Sequence, residues 1–296
     1  MTDIAVTAPP VSDRTKGLIY GFLGVLVFSG SLPATRAAVA DFDPVFVTGA
    51  RAVIAGVLGA ALLFALKAKP PERRDLLPLL GVTMGVVVVW PLMIAFSLQL
   101  VPSAHGTMFI GLLPLMTAIF GVLRGGERPK PRFWLFAVAG SALVVCYAFI
   151  SNGLALSLPD LFMLIGVTVC GYGYAEGAQL TRRLGGWQAI SWALVLGMPL
   201  MLALSFFYAP ADFHAVHESS WLGLIYAGLM AMLVGFIFWY RGLALGGTAS
   251  VGLLQLTQPF FSFVIASLFL GEAISGAMIA ITVAVVACVV AARRSA

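Results

Sequence analysis

The sequence predicts an all-α membrane protein: ten transmembrane helices arranged as two inverted five-helix repeats around a central cavity, with the N- and C-termini cytoplasmic. Three observations carry this prediction: the apolar composition, the one-sided placement of positive charge, and an internal repeat. Hydrophobic residues make up 61% of the 296 positions and charged residues only 10%, with a mean hydropathy of +1.03. A soluble domain is about 45–50% apolar and about 25% charged, so lipid is this chain's solvent. Each spanning helix takes roughly 20 apolar residues, and ten of them leave only short loops and no room for a soluble domain.

Apolar runs between Pro, Gly and charged breaks place the spans at 17–40, 44–66, 76–99, 104–123 and 131–150, then 158–181, 187–208, 221–241, 249–270 and 273–292. The first run follows Arg14 and Lys16, and Ala38-Val39-Ala40 resembles a signal-peptidase site. It is longer than a signal core and carries Pro33 and Arg36, so it reads as a helix. With the N-terminus inside, every Lys and Arg except Arg36 and Arg51 falls in a cytoplasmic gap or tail. The opposite gaps hold acids and histidines such as Asp41, Asp43, Asp212, His214, His217 and Glu218. Positive residues stay cytoplasmic during insertion, and one helix more or fewer would scramble the pattern. The net charge of +5 is therefore topological, and nucleic-acid binding, which needs a basic soluble face, is excluded.

Shifting the sequence by 145 residues aligns Ala104 with Ala249, Pro114 with Pro259, Gly126 with Gly271 and Glu127 with Glu272. The same shift lays Leu98 on Leu243 and Leu100 on Leu245. Five spans per copy is odd, so the second copy enters the membrane with opposite polarity. The chain then divides into a cytoplasmic tail (1–16), a first repeat (17–150), a periplasmic linker (151–157), a second repeat (158–292) and a cytoplasmic tail (293–296). Inverted repeats favour substrate sites near the bilayer midplane. Pro114 lies about 15 Å along its span, half the hydrocarbon thickness, and Pro259 repeats that depth. Inside a helix each proline frees the carbonyl four residues earlier, of Ile110 and of Gln255. Such carbonyls persist where protein or a wet cavity satisfies them. The alternative is a bend that only shapes packing.

Several residues have two readings. Trp90 is near mid-membrane, before Pro91, and either lines the cavity to stack a flat or apolar substrate or packs between helices. Tyr172, Tyr174, Trp239 and Tyr240 pose the same choice. Met108 and Pro114 on the fourth span, with Gln255, Gln258 and Pro259 on the ninth, complete the candidate cavity set. The glutamines either bond substrate or bond neighbouring helices. Three further residues are candidates for ion coupling or carboxylate contact: Arg36, His105 and Glu176. Glu176 is a carboxylate within a span, where ionisable groups are functional by default, yet it is near enough to Arg182 to reach the cytoplasmic interface. For Arg36 and Arg51 the favoured reading is structural pairing with Asp41 and Asp43; the sharper one is binding of a substrate carboxylate. Gly173 with Gly177, and Gly81 with Gly85, read as close helix contacts. Cys146, Cys170 and Cys288 lack ligand spacing and read as packing residues. His214, His217 and Glu218 make a weak metal set, and no cofactor is expected.

In the closing stretches of the fourth and ninth spans Leu113-Pro114 leads to Gly126-Glu127, and Gln258-Pro259 to Leu270-Gly271-Glu272. These stretches resemble the drug/metabolite transporter superfamily, in particular its ten-helix EamA-type members. The first copy has Gly125 where that family usually has Leu. Gly30-Ser31, and Arg51 followed by Ala55, also look like its pattern, and the layout is similar to YddG-type exporters of aromatic amino acids. The resemblance implies a multi-pass transporter of the bacterial inner membrane, usually an exporter, working on small metabolites such as amino acids. It leaves the oligomeric state open, a monomer included. The glutamate that small multidrug relatives use in their first helix has no counterpart between Gly17 and Ala40, so their proton exchange is not carried over. A channel or a multidrug efflux protein would use the same helices. An intramembrane enzyme would need a nucleophile and base together, and no such constellation is visible.

Overall fold

The computed structural model describes residues 13–125, 157–246, 251 and 253–294, with scattered positions between 131 and 146. Half of the fifth expected span, most of the linker, and Gly126, Glu127 and Ala249 of the repeat lie outside the described residues. Within them the chain forms helical rods α1 (Thr15–Ala38), α2 (Pro44–Ala65), α3 (Arg73–Leu100), α4 (Ser103–Arg124), α5 (Leu158–Leu184), α6 (Gly186–Phe207) and α7 (Glu218–Leu243), all long and apolar enough to cross a membrane. Two shorter apolar rods follow, α8 (Leu254–Leu270) and α9 (Gly276–Arg294).

Local chemistry sets the ends. Asp43 accepts from Val45 N–H at 2.7 Å and Pro44 opens α2, satisfying one orphan donor and omitting another. Ser157 and Asp160 form a capping box on α5, with Asp160 reaching back to Ser157 N–H at 2.9 Å. Gly271, at φ +63°, ends α8 in the left-handed conformation. The bundle buries polar residues such as Thr48, Arg51, Glu176 and Gln258, while Phe64, Phe206 and Leu268 face outward. That is the distribution lipid demands, since apolar side chains cost nothing on the outside.

The rods pair in an exchangeable pattern. α1 packs on α7 as α5 packs on α3, and α1 meets α8 as α5 meets α4. α2 packs on α6 and α4 on α8. α2 and α6 run antiparallel: Gly49 faces Met201 and Ser205, Gly56 faces Leu194 and Met198, and Gly59 faces Ser191. α3 and α7 each contain a π-helical segment, Thr83–Val89 and Tyr226–Val234, ending 145 positions apart. These wide turns sit where functional sites commonly do.

The prolines act differently from the sequence expectation. Pro114 and Pro259 do not kink a continuous helix; each is the second residue of a restarted one, Leu113–Gly125 and Gln258–Leu270. In α4 the first half closes with tight bonds from Gly111 N–H to Met108 O and from Leu112 N–H to Phe109 O, at 3.1 and 3.0 Å. In α8 a 3-10 turn, Leu253–Thr257, precedes the restart. A proline near a helix start gives up no bond, because its N–H would be an orphan there.

Candidate functional site

The broken helices meet at one hollow. It is walled by Phe28, Ser31 and Leu32 of α1, Arg51 of α2, Val86 and Trp90 of α3, Ile110 and Leu113 at the break of α4, Tyr174 of α5, Phe236 of α7, and Gln255 and Gln258 at the restart of α8. The cavity between them is small, about 30 Å³. The site is thus formed and constricted. One wall is aromatic: Phe28 and Phe236 rings meet edge to face at 4.9 Å, and Tyr174 packs edge-on against Phe236 at 6.0 Å. Trp90 stands on another wall, close against Gly166 of α5.

The bend in α1 positions the first wall. Pro33 lacks the N–H that would bond Ser29 O, and Ser262 Oγ donates to that carbonyl at 2.8 Å instead. Gln258 Nε2 donates to Phe28 O at 3.3 Å and Tyr226 O–H to Val27 O at 2.9 Å. Three successive carbonyls of α1 are therefore satisfied by side chains from α7 and α8, as irregular backbone at membrane depth requires.

Two polar atoms on the hollow lack partners among the described residues. Arg51 Nε is buried and unpaired, its side chain otherwise reaching only Thr35 Oγ1 at 3.4 Å. Gln258 Oε1 is likewise buried and unpaired. The orientation of that amide is fixed by Phe28 O, which accepts only, so the nitrogen must face it.

The remaining candidate charges sit at the two ends of the bundle. At one end Glu272 accepts from Ser103 N–H, Ser103 Oγ and Ala104 N–H at 2.8, 2.9 and 2.8 Å, capping α4 from the far end of α8. His105 Nε2 meets Asp160 Oδ1 at 2.7 Å, and Arg36 Nη1 donates to Leu98 O and Gln99 O, the latter at 3.2 Å. Asp41 accepts from Ser220 Oγ at 2.7 Å and His217 N–H at 2.9 Å; these bonds, Ser220 foremost, hold its carboxyl below the usual carboxylate range. At the other end Glu176 pairs with Arg124, and Asp75 with Arg183 at 2.7 Å.

The sequence profile of the EamA-like transporter family matches residues 15–149 and again residues 157–293. The chain belongs to the EamA-like transporter family. It is 58% identical over 284 residues to the uncharacterized transporter YdeK of Bacillus subtilis (strain 168), covering 96% of this chain and 99% of that protein. It is 24% identical over 261 residues to a probable terminal-alkyne amino-acid exporter of Streptantibioticus cattleyicolor, covering 84% of each. A solved crystal structure shares the fold, with TM-score 0.67, 21% identity, and coverage of 94% of this chain and 98% of that one. The chain is thus a multi-pass membrane transporter in which the EamA unit occurs twice.

Within this EamA-like transporter the structure brings Trp90, Gln255 and Gln258 together on the hollow. Pro114 and Pro259 follow the wall residues Leu113 and Gln258. Met108 packs with Ala104 and Phe263, Tyr172 lies beside Phe120 and Gly81, and Trp239 stands behind Phe28 and Tyr174. Arg36, His105 and Glu176 occupy the bundle ends, each with a partner. The favoured pairing of Arg36 and Arg51 with Asp41 and Asp43 is not what forms. Asp43 caps α2, Asp41 binds α7, Arg36 caps the end of α3, and Arg51 turns to the hollow. Among the described residues no three His, Cys, Asp or Glu gather as metal ligands. Tyr174, which the sequence left between cavity and packing, lines the hollow, whereas sequence reasoning missed Phe28 and Phe236; the equivalence of Phe236 with Pro91, 145 positions earlier and next to Trp90, was the available signal.

Proposed function

We propose that this protein exports small metabolites of the amino-acid class across a bacterial plasma membrane by alternating access, without catalysis. The observation that carries the proposal is the hollow where a bent helix and two broken helices meet, with Trp90, Gln255, Gln258 and Arg51 on its walls. Soluble substrates need such a polar, shaped site at membrane depth, and broken helices supply the backbone freedom to reshape it. The reading includes ten helices with both termini cytoplasmic and two copies inserted in opposite senses. Supporting the inversion, α2 and α6, which correspond in the repeat, cross antiparallel, and the packing pairs exchange under the repeat. The bundle ends are consistent with it: the Asp41, His105 and Glu272 end holds the positions assigned outside, and the Glu176 and Arg183 end those assigned inside. The name of the Streptantibioticus cattleyicolor relative supports the amino-acid class. Purified protein in liposomes tests the proposal. Saturable, competable counterflow of a labelled amino acid is expected; linear flux with unitary currents would mark a channel instead.

A further inference from the structure

We infer that the hollow recognises an apolar α-amino acid as its zwitterion, with Arg51 binding the carboxylate and Gln258 Oε1 accepting from the ammonium group. The inference rests on the transport reading above and adds the chemistry of recognition. Its starting point is a mismatch. A guanidinium removed from water demands a counter-charge or a full set of acceptors, yet Arg51 is 4% exposed, its Nε has no partner, and Thr35 Oγ1 is a long contact at 3.4 Å. Among the described residues no carboxylate pairs with it: Asp41, Asp75, Asp160, Glu176 and Glu272 are each engaged elsewhere, and Asp43 caps α2. On the same hollow, Gln258 is 4% exposed and presents an acceptor with no donor. An unmatched cationic donor and an unmatched neutral acceptor are the complement of a molecule carrying both an anionic acceptor and a cationic donor. The remaining walls, Val86, Trp90 and Phe236 among them, accept an apolar side chain and offer no second charge. A planar guanidinium suits a carboxylate in a way an ammonium would not, because it can donate two parallel hydrogen bonds.

The test uses full-length protein in liposomes and three compounds of one shape: L-phenylalanine, 2-phenylethylamine, which lacks the carboxylate, and 3-phenylpropanoate, which lacks the amine. Inhibition of labelled L-phenylalanine counterflow is expected to be at least about tenfold stronger by the amino acid than by either analogue, since a hydrogen bond to a charged group carries about 1.5–3 kcal/mol. Arg51→Gln should erase the preference of the amino acid over the amine, and Gln258→Leu the preference over the acid. Arg51→Lys, which keeps the charge, separates recognition from loss of fold by retaining part of the preference. Thermal unfolding of each variant with and without L-phenylalanine checks that the protein is folded. Equal or stronger inhibition by the amine, or a preference that survives Arg51→Gln in folded protein, overturns the inference and leaves transport standing. Absence of saturable counterflow for every compound overturns both.

Discussion

At the scale of single residues, Trp90 is where an aromatic ring meets both the hollow and the repeat. It adjoins the π-helical turn of α3 and packs on Gly166, so its ring is held from behind and presented in front. Stacking and burial of a substrate's apolar part on such a ring are worth about 0.5–1.5 kcal/mol beyond area alone. Trp90→Ala should therefore raise the KM for transport about tenfold while the protein remains folded; unchanged kinetics would remove it from the site. Asp41 gives a second prediction, away from the membrane. Its carboxyl is held low by Ser220 and His217, so the stability it contributes is present above its unfolded value of about 3.9 and is lost as pH falls through its folded value. Thermal unfolding of wild type and Asp41→Asn should differ at pH 6 and converge on acidification below about pH 4; a difference constant across that range would contradict the assignment. Both residues were visible in the sequence as types, but not their directions. Arg51 is the clearest case. Its proximity to Asp41 and Asp43 along the chain suggested pairing, whereas the face of α2 it occupies is set by packing on α6 and α7. A span that is apolar all round carries no amphipathic signal from which that face could be read.

At the scale of elements, close approach of backbones replaces hydrophobic attraction. Gly85 of α3 lies against Gly173 of α5 so tightly that a Cβ on Gly85 would stand 2.7 Å from Gly173 Cα and from Val169 O. Neither atom is the end of a flexible side chain, so the helices would have to part. Gly85→Ala should lower stability in detergent by about 1–3 kcal/mol, the range for overpacking. Gly276→Ala is the control, since nothing lies within 4 Å of its Cβ position; equal losses at the two sites would show that the contact is unimportant. The spacing of these glycines was legible in the sequence, as was the equivalence of Pro114 and Pro259. What the prolines do was not. A proline frees a carbonyl wherever it sits inside a helix, but whether the chain bends or restarts depends on which side chains reach the loose backbone. In α1 those are Ser262, Gln258 and Tyr226, more than 190 positions away in sequence.

At the scale of the whole molecule, the hollow is too narrow to hold what it would carry. With a cavity of about 30 Å³, an amino acid of the proposed class would enter only after the walls part. Polar contacts hold both ends of the bundle, Glu272 on Ser103 and Ala104 at one and Glu176 on Arg124 at the other, so the proposed alternation would release one set while keeping the second. Two copies inserted in opposite senses would give each end an equivalent of the other, and this has a direct consequence for labelling. In protein whose Cys146, Cys170 and Cys288 are replaced by Ser, Ser275→Cys should react with a membrane-impermeant maleimide in intact cells, and Gly126→Cys only after permeabilisation. Ser31→Cys, on the hollow, should react from either side, with substrate slowing both reactions. Reaction of positions 126 and 275 from the same side would end the inverted arrangement. Reaction of Ser31→Cys from one side alone would leave two copies in opposite senses but remove the alternation between them.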